Sequence, residues 1–211
     1  MKCVIIASGD LDLTFRIRQI IKTAQILICA DGGARHLRML DILPHVLIGD
    51  FDSIHADDKA FLKTKNVKQI KFPAKKDQTD SELCVLWAME HKATDITLLG
   101  VLGSRLDHSL ANIFLLKKLA EQNIPARIID KNNELIMVCD SIELEGNPGD
   151  LLSIIPVTDK VTGITLKGLE YPMENGQIEM GSSIGISNHF VQNRATISIQ
   201  TGRLIVATSK D

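Results

Sequence analysis

The feature that most constrains this 211-residue chain is a change of period near residue 133. Before it, short apolar runs alternate with longer amphipathic segments, the pattern of a parallel sheet covered by helices on both faces. The runs span 2–7, Ile26–Ala30, Val46–Gly49, 67–71, Asp95–Leu99 and Ala126–Ile129. Between them the spacing predicts helices over 13–22, 34–40, 56–65, 80–91 and 108–122. The clearest start is Thr79-Asp80-Ser81-Glu82, which has the spacing of a capping box and leads into Leu83, Leu86 and Trp87 at a helical period. Beyond residue 133 the texture turns to short strands broken by turn residues, at 134–139, Ser141–Glu145 and Leu151–Pro156. The close, 194–200, Thr201-Gly202 and 203–208, reads as a β-hairpin. The expected fold class is α/β: a doubly wound, mostly parallel sheet with helices on both faces over 1–132, then a small antiparallel β-sandwich over 133–211.

Composition removes several classes of function. A hydrophobic content of 45% is ample for a core, and a net charge of -2 with no dense Lys/Arg block argues against nucleic acid as a partner. No apolar run approaches the length of a bilayer span, so no membrane role is expected. The first apolar run turns polar at Ser8-Gly9-Asp10, too early for the core of a signal peptide. Cys3, Cys29, Cys84 and Cys139 lie in apolar runs without Cys-x-x-Cys spacing, which reads as small buried hydrophobes in a reducing, cytoplasmic setting. His36, His45, His55 and His91 read as structural or solvated surface residues, and neither His108 nor His189 is singled out by spacing.

Each of the first five strands is followed at once by a polar segment: Ser8-Gly9-Asp10, Asp31-Gly32-Gly33, Asp50-Phe51-Asp52, Asp77-Gln78-Thr79-Asp80, and 100–108. In an open parallel sheet all carboxyl ends lie along one edge, and ligands bind outside that edge. Five polar segments are thus expected to line one cleft. Asp50 and Asp52, two apart in an extended segment leaving a strand, are expected to point the same way, and a hard divalent cation takes such oxygens. Taken by itself the motif reads more readily as a solvated Asp-rich turn. A cleft holding Asp31, Asp50, Asp52, Asp77, Asp80 and Asp107 with only Lys75, Lys76 and Arg105 nearby needs further cations. Asp77 fits a helix-capping role as well as a ligand role, whereas Asp80 opposite Asp50 and Asp52 reads as a metal ligand. Acids holding Mg2+ beside glycines and helix N-termini describe a site for a metal-bound polyphosphate, with the planar fork of Arg105 suited to a phosphate oxygen. Neither a Walker A motif nor a dinucleotide fingerprint is present.

At these residues the chain resembles the thiamine pyrophosphokinase family. The resemblance is carried by Ala30-Asp31-Gly32-Gly33, Gly49-Asp50-Phe51-Asp52-Ser53, Lys76-Asp77-Gln78-Thr79-Asp80, Gly103-Ser104-Arg105-Leu106-Asp107-His108, Asn133-Glu134 and Gly185-Ile186-Ser187-Asn188. It implies Mg2+ held by Asp50, Asp52 and Asp80, with Asp77 and Asp107 close by, and ATP and thiamine as the small-molecule substrates. It also implies nucleotide contacts from Asp31, Gly32, Gly33, Lys76, Gln78, Thr79, Gly103, Ser104, Arg105 and His108. A thiamine site would take Ser187 and Asn188 from the β domain of a partner subunit in a homodimer. Ser104 departs from the family, which usually has a second glycine before the arginine. The implied reaction moves the pyrophosphoryl group of ATP to the hydroxyethyl oxygen of thiamine. Two other readings of the same acidic cleft are a nucleoside polyphosphate hydrolase and a non-catalytic nucleotide or thiamine sensor.

Overall fold

The computed structural model describes residues 1–63 and 67–210. The chain divides into two compact units, Met1–Lys131 and Asn132–Asp211. Unit 1 contains β1 (Lys2–Ile6), α1 (Phe15–Lys22), β2 (Ile26–Ala30), α2 (Ala34–Arg38), β3 (Val46–Gly49), α3 (Ala56–Lys63), β4 (Lys68–Lys71), α4 (Asp80–Glu90), β5 (Asp95–Leu99), α5 (Leu106–Glu121) and β6 (Ala126–Ile129). The expected end of the third helix at 64–65 lies outside the described residues.

The strands of unit 1 run in the order β6-β5-β1-β2-β3-β4, and every pairing is parallel. Their tips are in step, Ile6 lying beside Cys29 and Leu99 and Ala30 beside Ile48. Val4, Ile6, Leu27, Cys29 and Leu47 turn one face of the sheet toward Ile17 and Ile21 of α1, Leu37 of α2 and Leu62 of α3. The alternate residues Cys3, Ile5, Ile28, Val46 and Ile48 are buried on the other face, where α4 packs against β1, β2 and β3. Strands buried on both sides read as continuous apolar runs, which is why the sequence marks them so clearly. The last helix starts earlier than the spacing predicts. Arg105 is extended and serves as its N-cap, so Asp107 and His108 fall in the first turn of α5.

Unit 2 contains β7 (Asn133–Val138), β8 (Ser141–Glu145), β9 (Leu151–Pro156), β10 (Lys160–Lys167), β11 (Met173–Glu179), β12 (Asn188–His189), β13 (Arg194–Ser198) and β14 (Leu204–Ser209). They form two antiparallel layers, β12-β9-β14-β7 and β11-β10-β13-β8. Leu152, Ile154, Leu204 and Val206 of the first layer and Val161, Ile164, Leu166, Ala195 and Ile197 of the second share one core. The expected terminal hairpin is not formed. β13 pairs with β8 and β10, whereas β14 pairs with β7 and β9, so the chain crosses from one layer to the other at Thr201-Gly202. Thr201 bonds to Thr162 of β10, through its carbonyl at 3.1 Å and hydroxyl to hydroxyl at 2.7 Å. Alternating apolar residues fit a hairpin and a layer crossing equally well, since the alternation encodes a buried face and not a partner.

Candidate active site

The five polar segments of unit 1 leave the sheet along its carboxyl edge, two of them locked together by their backbones. Gly9 N–H donates to Gly100 O at 2.6 Å and Asp10 N–H to Leu102 O at 2.8 Å, which stitches the loop after β1 to the loop after β5. Gly100 has φ 61°, and a β-carbon there would sit 2.6 Å from Ala7 O, so only glycine allows this approach. Strand order reverses between β1 and β5, the usual place for a ligand crevice. Here those backbone bonds occupy it, and the acidic cluster gathers farther along the edge, over β2 and β3.

Asp31 opens a short 3-10 turn, Asp31–Gly33, that lies flat against β1: a β-carbon on Gly33 would come within 2.5 Å of Ile6 O. The turn buries Asp31, which accepts a short hydrogen bond from Ser53 on Oδ2 and has no hydrogen-bond partner on Oδ1. Burial raises its carboxyl above the ordinary value. The Ser53 hydroxyl pulls it back in part, and the negative charges of Asp80 and Asp50 push it up further. Lys76 Nζ lies 2.9 Å from Asp80 Oδ1 and 3.8 Å from Asp50 Oδ2. Asp80 Oδ1 is also buried without a hydrogen bond, so its contact with Lys76 is one of charge, off the hydrogen-bond direction. Asp31, Asp50, Asp80, Ser53 and Lys76 therefore form one half-buried constellation drawn from β2, β3 and the start of α4. α4 reaches it because Thr79 caps the helix by accepting from Glu82 N–H at 3.2 Å, while the Glu82 carboxylate pairs with Lys118 on α5.

The segment Asp50-Phe51-Asp52 is a turn and not the extended run the spacing suggests. Phe51 has φ 67°, and Asp52 N–H donates to Asp50 Oδ1 at 3.0 Å, a bond typical of aspartate at a turn. The alternation that would align the two carboxylates is therefore absent, and Asp52 is exposed whereas Asp50 is half-buried. A bulky residue at positive φ stores strain, a feature that clusters at functional sites. Asp77 and Gln78 are exposed in the loop before α4.

Arg105, Asp107 and His108 form a separate exposed group at the start of α5. Arg105 grips Asp107 with two hydrogen bonds, at 2.6 and 3.2 Å, and this pairing holds the Asp107 carboxyl below its usual value. His108 Nε2 lies 4.0 Å from the same carboxylate. Gly103 N–H is tied to Ser109 Oγ at 3.1 Å, and Ser104 is exposed. In unit 2, Ser187 is exposed at φ 57° with its N–H on Ser153 Oγ. Asn188 is 2% exposed, and its amide is consumed by the backbone: Oδ1 accepts from Tyr171 N–H and His189 N–H, and Nδ2 donates to Tyr171 O.

Two readings of the sequence are corrected here. His36 is not a surface residue. It is buried, its pKa lowered by that burial, and its Nε2 donates to Gly9 O at 3.0 Å while Arg35 reaches Ser8 O at 2.7 Å. A helix that begins with a basic pair facing a Gly-rich strand tip was the available signal. Cys139 is exposed, unlike the buried Cys3, Cys29 and Cys84, and all four thiols are free.

Among the described residues no three His, Cys, Asp or Glu side chains are arranged to hold a metal ion. The donors nevertheless fit a hard divalent cation: they are carboxylate oxygens, and two of them, on Asp31 and Asp80, are buried without a hydrogen bond.

Comparison with known proteins matches segments of both units to one family. The description "Thiamin pyrophosphokinase, catalytic domain" matches residues 17–128, and "Thiamin pyrophosphokinase, vitamin B1 binding domain" matches residues 140–206. The chain is 34% identical over 210 residues to a thiamine pyrophosphokinase of Bacillus subtilis, covering 98% of each. It is 28% identical over 200 residues to thiamin pyrophosphokinase 1 of Caenorhabditis elegans, covering 88% of this chain and 80% of the relative. The crystal structure of the Bacillus subtilis protein superposes with a TM-score of 0.90 over the whole of both chains.

Proposed function

The chain belongs to the thiamine pyrophosphokinase family, and from that premise we propose how its residues transfer the pyrophosphoryl group of ATP to thiamine, giving thiamine diphosphate and AMP. The observation that carries the reading is the gathering of Asp31 and Asp50, at the tips of β2 and β3, with Asp80 at the start of α4, where Asp31 and Asp80 each keep a buried carboxylate oxygen without a hydrogen bond. The hydrolase and sensor readings draw no support from the relatives named above.

Asp50, Asp52 and Asp80 would hold Mg2+, with Asp77 and Asp107 on its periphery, and the ion would neutralise charge on the phosphates of ATP. The chain's own groups do the positioning. The polyphosphate lies between Lys76 and Arg105, near the Asp31-Gly32-Gly33 turn and alongside Gln78, Thr79, Gly103, Ser104 and His108. Arg105 already binds a carboxylate through two parallel bonds, the geometry it uses for phosphate, so exchanging Asp107 for a phosphate oxygen needs only a change of partner. The thiamine hydroxyl attacks the β-phosphorus in line and AMP departs. The hydroxyl proton passes late to a nearby carboxylate, Asp52 or Asp80.

Thiamine is assigned to unit 2 of a partner subunit in a homodimer, with Ser187 exposed toward it. Asn188, whose amide is spent on the backbone of Tyr171 and His189, acts by shaping that segment. Exposed Tyr171, Met180, Ile184, Ile186 and Val191 give unit 2 the apolar surface that an interface between copies requires. A cytoplasmic setting is supported by four free thiols. The test is product analysis by mass after incubation with thiamine, ATP and Mg2+. Thiamine diphosphate with AMP is expected; thiamine monophosphate with ADP, or AMP released equally without thiamine, overturns the reading.

A further inference from the structure

The family reading gives Lys76 a nucleotide contact, and the structure places its ammonium elsewhere, on two carboxylates of the acidic cluster. Its ammonium contacts both Asp80 and Asp50, and its side chain is only 12% exposed, so it sits within the acidic constellation and not above it. It is not bound there as a structural ion pair would be. Asp80 Oδ1 has no hydrogen bond despite a 2.9 Å approach, and the 3.8 Å contact to Asp50 is longer than a hydrogen bond. A point charge on a flexible four-carbon stem, four residues before Asp80, satisfies the two carboxylates by charge alone and is free to leave. Without it, the negative charges of Asp31, Asp50 and Asp80 would face one another unscreened in a half-buried site.

We propose that Lys76 is a tethered placeholder cation, which holds Asp50 and Asp80 together in the nucleotide-free protein, weakens their hold on free divalent ions, and gives way when a metal-bound polyphosphate arrives. The inference rests on the reading of Asp50 and Asp80 as metal ligands. A bare divalent ion must displace the ammonium and offers it nothing in exchange. A metal–triphosphate complex brings the ion together with phosphate oxygens that receive the displaced ammonium. Lys76 thereby couples metal entry to nucleotide entry, and it is a positioning residue toward the metal and a direct contact only for phosphate.

The test is a titration with Mn2+, free ion read by electron paramagnetic resonance, on the whole protein, Lys76→Gln and Lys76→Arg. It is run alone and with α,β-methylene-ATP, whose bridging carbon blocks cleavage of the bond broken in pyrophosphoryl transfer. Without nucleotide, Lys76→Gln is expected to bind Mn2+ about tenfold tighter than the parent, and Lys76→Arg like the parent. With the analogue the three converge to within about threefold. Thermal melting in EDTA gives an independent readout. Lys76→Gln is expected to melt below the parent and to recover on saturation with Mn2+; should it fold too poorly to titrate, Lys76→Met takes its place. Equal Mn2+ affinity of parent and Lys76→Gln without nucleotide overturns the inference and leaves the metal reading standing. If none of the proteins binds Mn2+ even with the analogue, the metal reading falls and the inference with it.

Discussion

Two polar clusters in this molecule are built on opposite terms. In unit 2 the buried amide of Asn188 meets three backbone groups, so its polar capacity is spent on holding the chain in place. At the carboxyl edge of unit 1, Asp31 and Asp80 each keep a buried carboxylate oxygen without a hydrogen bond, and burial, with the negative charges of Asp80 and Asp50 added to it, raises the Asp31 pKa. Satisfied polar groups fix a local structure, whereas unsatisfied ones in a low-dielectric site store free energy that a ligand can release. Both clusters lie in motifs by which the chain resembles its family, yet only the second keeps buried polar atoms without a partner.

The largest effect that would break this contrast is at Asp52 or Asp80. Replacement of either by Ala is expected to lower turnover by about 10²–10³-fold at saturating Mg-ATP and thiamine. An AMP-formation rate within a few-fold of the parent would remove that residue from the metal site. In unit 2 the matching change, Asn188→Ala, orphans the N–H and C=O of Tyr171. Its expected cost is roughly 2–3 kcal/mol, read as a fall in melting temperature of about 4–10 °C. An unchanged melt would mean that Asn188 is spare for substrate.

Asp31→Asn sharpens the comparison with the opposite sign. Asp31 has a folded-state pKa above the unfolded value of 3.8, so its favourable contribution is complete below that value and is lost as pH rises through the folded pKa. Above it the ionised carboxylate disfavours the fold. Removing the charge is expected to raise the melting temperature by a few degrees at about pH 7.5, and the gain should vanish as pH falls toward 3.8. A pH-independent difference would assign the change to packing. The smallest effect is at Asp107, whose pairing with Arg105 is solvent-exposed and screened. Asp107→Asn is expected to leave the melting temperature unchanged, and a clear drop would make the pair structural.

The sequence made the parallel sheet legible because strands buried on both faces are continuous apolar runs, and a parallel register obliges their tips to share an edge. It also made the polar motifs legible, since four of the five follow strands closely and the other leads into α4. Their internal geometry was not legible. Phe51 at positive φ turns the Asp50–Asp52 segment, and no rule of alternation foresees a non-glycine residue there. His36 read as surface because a five-residue helix shows too few positions to reveal its buried side. The layer crossing after β13 escaped for the reason given above, that period 2 reports a buried face without naming the partner strand. Lys76 was visible as one cation among acids and, by resemblance, as a nucleotide contact, but its place between Asp50 and Asp80 depends on the approach of α4 to β3.

The most direct measurement is the location of Mn2+ by anomalous scattering in crystals grown with α,β-methylene-ATP. The ion is expected at about 2.1 Å from carboxylate oxygens of Asp50 and Asp80, bridging to the triphosphate, with Lys76 turned onto a phosphate oxygen. A metal–nucleotide complex seated elsewhere on the molecule, with Lys76 still between the two carboxylates, would contradict the account.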